Sequence, residues 1–189
     1  MRSLFLMLML LLSACAAPRT MDPSVLGPSD SRIGGGTEAY QLAAGDKIRV
    51  IVFGEPTLTG EFIIGTNGNL SFPLVGTVDV NGKTTQEASE QLRTMLADGY
   101  LRDPKVSMEV LAFRPYYILG EVNKPGQFPY ASGLTVLNAV ATAEGFSYRA
   151  ERRVVYIRRA GADKEVPIRI TPDLQVFPGD TLRIGERYF

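Results

Sequence analysis

The apolar positions change their period several times along the chain. Residues 4–12 are apolar without a break, a run shorter than the roughly 20 residues that cross a bilayer. Residues 16–39, "AAPRTMDPSVLGPSDSRIGGGTEA", carry three prolines, a triple glycine and no sustained period, which reads as a linker. As a flexible coil it would span roughly 27 Å on average. From Tyr40 the texture becomes β-rich. A strand is predicted over residues 47–53, and "EFIIGTNGNLSFPLVGTVDVNGKT" alternates in short segments punctuated at Asn67-Gly68 and Asn81-Gly82, both hairpin signals. Thr84-Thr85-Gln86-Glu87 has the T-x-x-E form of a capping box opening a helix. Ala88, Leu92, Met95 and Leu96 then fall on one helical face, with Gly99 as the stop. Residues 105–111, "KVSMEVL", return to strand alternation.

A second unit begins at residue 113. A strand over 116–119 meets Gly120, and Lys124-Pro125-Gly126 supplies a turn. "GLTVLNAVATAEGF" predicts a short helix with Leu134, Leu137 and Ala141 on its apolar side and Gly145 beyond its end. Two further β-rich segments follow, "RRVVYIRR" and "DTLRI". The expected fold class is therefore α+β. A small unit of β-hairpins plus one helix occupies 40–112, and a β-grasp-like module with a C-terminal strand occupies 113–189. One internal echo links them: "AAGDKIRV" at 43–50 and "FPGDTLRI" at 177–184 share Gly-Asp, a variable residue, then aliphatic, arginine, aliphatic. Asp46 and Asp180 are read as turn residues whose carboxylates accept backbone N–H groups where a strand begins.

Cys15 is the only cysteine among 189 residues, and there is no histidine. An intramolecular disulfide is impossible, and zinc binding or Cys/His catalysis has poor prospects. Arg2, the apolar run and Leu12-Ser13-Ala14-Cys15 instead make a bacterial lipoprotein signal, with cleavage between Ala14 and Cys15 and lipid on Cys15. The competing reading is an ordinary signal peptide with a chance cysteine. On the lipoprotein reading, residues 1–14 are the signal peptide and 15–39 the lipidated N-terminus and linker. The acyl chains would hold the mature protein on a membrane. Ala16, where an aspartate would resemble an inner-membrane retention signal, favours the outer membrane with the protein facing the periplasm.

Composition removes other classes. The apolar fraction is 45% and the formal net charge is zero, so no basic field recruits nucleic acid. Gly145-Phe146-Ser147-Tyr148-Arg149 lacks the second glycine of a nucleophile elbow, and no Walker or Rossmann pattern is present. The expectation is a protein that is not an enzyme and holds no metal or cofactor.

"YQLAAGDKIRVIVFGE", "GNLSFPLVGTVDVNGKTTQEASEQL" and "DPKVSMEV" resemble the polysaccharide biosynthesis/export domain of outer-membrane polysaccharide export proteins of the Wza type. "YYILGEVNKPGQFPYASGLTVLNAVATAEGF" resembles the SLBB (soluble-ligand-binding β-grasp) domain that follows it. The resemblance implies a component of a trans-envelope conduit for capsular polysaccharide or exopolysaccharide, forming a homo-oligomeric ring in the periplasm. Its implied partners are the polysaccharide cargo and an inner-membrane polysaccharide co-polymerase, a chain-length regulator often associated with a tyrosine kinase. The longest members have more SLBB modules and a C-terminal amphipathic helix that builds the outer-membrane pore, whereas this sequence stops at "IGERYF". A shorter adaptor ring working with a separate outer-membrane β-barrel is the expectation.

Within that frame Gly45, Asp46, Gly120, Pro125, Gly126 and Gly145 are fold-determining family positions. Arg149, Arg152, Arg153, Arg158 and Arg159 fall within eleven residues with Glu151 as their one acidic neighbour. They are candidates for contact with polymer or partner, against the alternative of a solvated strand face. The second functional reading is a periplasm-facing lipoprotein that binds a small saccharide as receptor or sensor, with Tyr116, Tyr117, Phe128 and Tyr130 as stacking residues.

Overall fold

The computed structural model describes residues 40–187. The expected signal peptide, the cleavage site at Ala14 and Cys15, and the linker lie outside the described residues.

The first unit contains β1 (Lys47–Val52), β2 (Gly60–Ile63), β3 (Asn69–Phe72), β4 (Gly76–Asp79), α1 (Thr85–Ala97) and β5 (Val106–Ala112). Strands β2-β1-β5 form an antiparallel sheet, and β3 and β4 form a separate hairpin. Alternation along β1 sends Ile48, Val50 and Val52 into the core, where they join Ala88, Leu92 and Leu96 of α1. The helix opens as its sequence predicts. Thr84 Oγ1 accepts the Glu87 N–H at 3.2 Å, and the Glu87 carboxylate accepts the Thr84 N–H at 2.8 Å. That backbone donor, then the Thr84 hydroxyl, holds the Glu87 carboxyl below its usual value.

The Asn-Gly pairs make turns but join no hairpin. Gly68 N–H closes on the Gly65 carbonyl at 2.8 Å, and Gly82 N–H reaches back to Leu42 at 2.8 Å. The two turns pack together, since a Cβ on Gly68 would lie 2.5 Å from Asn81 Cβ. The β3–β4 hairpin is closed instead by Pro73-Leu74-Val75, with Leu74 at φ 70°.

The second unit contains β6 (Tyr116–Gly120), β7 (Gly126–Phe128), α2 (Val136–Thr142), β8 (Ala150–Arg158), β9 (Val166–Arg169) and β10 (Thr181–Glu186). Its five strands lie in the order β7-β6-β10-β8-β9. β10 runs parallel to β6 at the centre and the other pairs are antiparallel. With α2 against the face that carries Ile118, Ile157 and Leu182, this is a β-grasp arrangement, and the whole described chain is α+β. A parallel pair needs a long crossover, and α2, β8 and β9 supply it. Strand β9, "VPIR", is an addition to the sequence reading. The face of α2 also differs: Val136, Ala139, Val140 and Ala143 are buried, whereas Leu137 is 39% exposed and Ala141 is exposed. No helix among the described residues is long and apolar enough to cross a membrane.

Candidate functional site

The two Gly-Asp turns are built alike. Asp46 Oδ2 accepts the N–H of Ala43 at 2.9 Å, and Asp180 Oδ2 accepts that of Phe177 at 2.8 Å, each three residues upstream. Both aspartates are buried, the only charged side chains so classed among the described residues. Burial demands partners. Asp46 takes a 2.6 Å hydrogen bond from the Tyr40 hydroxyl, and Asp180 takes one of 2.5 Å from the Arg159 guanidinium. Burial, then the bond to Asp46, pushes the Tyr40 hydroxyl well above the ordinary phenol range. Burial likewise pushes the Asp180 carboxyl up, with Arg159 and the Phe177 N–H pulling against it.

These turns meet at the junction between the units. Arg114, between β5 and β6, donates its backbone N–H to Asp46 Oδ1 at 3.0 Å and its Nε to the Pro178 carbonyl at 2.9 Å. The Gly179 N–H donates to the Pro115 carbonyl at 3.1 Å. Arg114 fills the space that a side chain at 179 would need, because a Cβ on Gly179 would lie 2.8 Å from its Nε. Beside it runs an aromatic chain: Tyr40 meets Phe113 edge-on at 4.8 Å, and Phe113 meets Tyr130 at 5.4 Å. The repeated motif thus forms two halves of one interdomain clasp, with Arg114 between them. Sequence reasoning found both aspartates but missed Arg114, whose partners stand 64 and 68 residues away.

Gly45, Gly120 and Gly145 all hold positive φ. Gly120 is the tightest: a Cβ there would lie 2.0 Å from the Ile184 carbonyl oxygen of the parallel neighbour β10. Gly145 ties the end of α2 to the β6–β7 connection, accepting the Asn123 N–H at 3.0 Å and donating to Val140 at 2.9 Å. Pro125 is exposed, and Gly126 opens β7 with open space where its Cβ would be.

The five arginines do not share one surface. Arg159 is turned inward on Asp180, with its guanidinium carbon 4.8 Å from the centre of the Phe177 ring. Arg149 pairs with Glu186, Arg152 lies over Phe146 at 5.9 Å, and Arg158 donates to Thr181 Oγ1 at 3.2 Å. Arg153 is exposed, and its N–H donates to Glu151 at 2.7 Å. The four aromatics do not line one surface either. Tyr116 is fully buried and stacked on Phe128 at 5.8 Å, which raises its pKa by desolvation, Tyr117 is exposed on the other face, and Tyr130 belongs to the junction. Among the described residues, no three His, Cys, Asp or Glu side chains gather where they could hold a metal ion.

Known proteins place the two units. A model of the polysaccharide biosynthesis/export protein family matches residues 35–111, and one of the SLBB domain matches residues 114–184. The exopolysaccharide production protein ExoF of Rhizobium meliloti (strain 1021) is 38% identical over 120 residues, 57% of this chain and 28% of that protein. The EPS I polysaccharide export outer membrane protein EpsA of Ralstonia nicotianae is 37% identical over 76 residues, 39% of this chain and 19% of its own. The polysialic acid transport protein KpsD of Escherichia coli is 25% identical over 158 residues, 78% of this chain and 28% of its own. The chain therefore spans less than a third of the length of these curated relatives. The chain thus carries a polysaccharide biosynthesis/export domain followed by an SLBB domain, one on each hydrophobic core.

Proposed function

We propose that this protein is a lipid-anchored outer-membrane component of a polysaccharide export conduit, facing the periplasm and assembling there into a homo-oligomeric ring. The observation that carries this reading is the domain order, export then SLBB, joined through the Arg114 clasp. The names of the relatives support it: each refers to exopolysaccharide production, polysaccharide export or polysialic acid transport, and one places its protein in the outer membrane. The lipobox-like Leu12-Ser13-Ala14-Cys15 supplies the anchor. The chain moves polymer and changes no bond. Its partners are an inner-membrane co-polymerase, with its tyrosine kinase where one is associated, and a separate outer-membrane β-barrel. Exposed arginines such as Arg152 and Arg153 contact the polymer or an acidic partner surface.

The test is the amount of surface and secreted polysaccharide in a strain deleted for this chain, complemented with wild type or with Cys15→Ala. Loss in the deletion, restored only by the chain that carries Cys15, is the expected result. Unchanged polysaccharide in a strain without a paralogue would overturn the export role and favour the saccharide receptor.

A further inference from the structure

Each unit is two layers deep and leaves one face of its sheet uncovered by its own helix. In the first unit α1 joins the buried residues of β1, so Lys47, Arg49 and Ile51 stand on the outer face. Glu61 and Ile63 of β2 and Glu109 of β5 stand beside them. Lys47 reaches Glu61 at 2.6 Å, and Arg49 is shared between Glu61 at 3.2 Å and Glu109 at 3.1 Å. Ile51 and Ile63 remain 41% and 67% exposed beside this charged ladder.

The outer face of the second sheet differs in character. Tyr117 and Leu119 are 41% and 42% exposed on β6. Next to them stand Arg183 of β10, Arg158 of β8 and, at the far edge, Arg169 of β9. The Arg183 guanidinium lies 4.0 Å from the centre of the Tyr156 ring and pairs with Glu165. Glu165, one residue before β9, is the carboxylate that joins these three arginines, and Arg183 holds it. The same asymmetry runs through the composition. Residues 40–112 hold nine acidic and six basic side chains, whereas residues 113–189 hold eight acidic and eleven basic.

We propose that the outer face of the first sheet in one copy packs on the outer face of the second sheet in the next copy. This interface rests on the ring reading given above and specifies its contact. Ile51 and Ile63 meet Tyr117 and Leu119, and Glu61 and Glu109 face Arg158 and Arg169. Two sheets can pack face to face with about 10 Å between them. Glu61 accepts Lys47 and Arg49 on separate oxygens and Glu109 accepts Arg49 on one, so each keeps lone pairs to accept an arginine from outside. Tyrosine and arginine are the residue types enriched in protein interfaces. The two faces are different, so the contact is heterologous, and repetition closes a ring wherever the rotation allows. A sugar polymer offers no counterpart to the exposed isoleucines of the first face, so a second copy fits the pair of surfaces better.

The test uses the full lipidated chain extracted from membranes in mild detergent, with particle mass read by sedimentation. Arg158→Glu/Arg169→Glu makes the second face acidic, and Glu61→Gln/Glu109→Lys makes the first face basic. Each chain alone is expected to sediment as a single copy. Mixed together they regain complementary faces and recover the wild-type particle, as does one chain carrying all four changes. Arg158→Gln/Arg169→Gln, which removes charge without reversing it, is the milder arm should a reversed chain misfold. It should need roughly tenfold more protein to assemble, and more again in high salt. Reversed chains that keep the wild-type particle overturn the interface and leave the ring standing; if they also lose polysaccharide transport, the face belongs to the cargo. A mixture of folded reversed chains that stays dissociated overturns it as well. A wild-type chain that is itself a single copy overturns the ring reading, and the interface with it.

Discussion

Gly120 ends β6 at φ +84°, and the Ile184 carbonyl of β10 occupies the place where a side chain would begin. The neighbour is backbone in the central parallel pair, so it cannot swing aside as a side-chain tip would. Gly120→Ala therefore combines a left-handed penalty with a main-chain clash. A loss of about 2–4 kcal/mol is expected, measured by urea unfolding. Gly126→Ala, with open space around it, should change stability by less than about 0.5 kcal/mol. The sequence reading expected both glycines to determine the fold; the coordinates show a steric need at Gly120 and open space at Gly126. At Asp180 the buried carboxylate faces Arg159, whose side chain is 13% exposed. Asp180→Asn takes the carboxylate out of this buried pair and should cost about 3–5 kcal/mol. Replacing both partners, Asp180→Asn with Arg159→Met, should return part of the loss in the same unfolding experiment.

At the scale of elements, α1 was the most legible because its start signal is local: a hydroxyl and a carboxylate three residues apart serve each other's N–H groups. Thr84→Ala should cost about 1 kcal/mol of stability, seen as a lower urea midpoint with an unchanged slope. Glu87 adds a pH dependence. Its folded pKa lies below the usual glutamate value, so its contribution is complete above that value and is lost as pH falls through the lowered one. The stability gap between wild type and Glu87→Gln should therefore be open at neutral pH and close on acidification below about 4.5. Other elements were less legible for physical reasons. An Asn-Gly pair marks a backbone able to turn, not the strands the turn will join; here Gly68 closes a local loop, while Gly82 bonds back to Leu42. α2 spans only seven residues, too few for periodicity to choose between Leu137 and Val136. Strand β9 carries Pro167 at the sheet edge, where proline is tolerated but weakens the sequence signal.

For the whole molecule, the two modules and their order could be read from sequence, whereas their attachment could not. Gly-Asp recurs visibly, but nothing local says that Arg114 will lie between the two copies of the motif. The clasp has two separable halves. The Arg114 backbone N–H holds Asp46 and survives a side-chain change, while its Nε holds the Pro178 carbonyl and does not. Arg114→Ala should thus release the second domain from the junction while leaving each core intact, because neither core contains this residue. The expected result is a wild-type far-ultraviolet spectrum together with a broader distance distribution between spin labels at Thr57→Cys and Lys164→Cys, in a Cys15→Ser background. Arg114→Lys puts a charge nearby without the planar donor geometry of the guanidinium, and should give an intermediate width. Asp46→Asn attacks the other half, taking the charge from the acceptor of Tyr40, Ala43 and Arg114, and should broaden the same distribution. A width unchanged in all three variants would mean that the Tyr40–Phe113–Tyr130 aromatic chain alone holds the domains together. The clasp would then be a packing detail of the two turns.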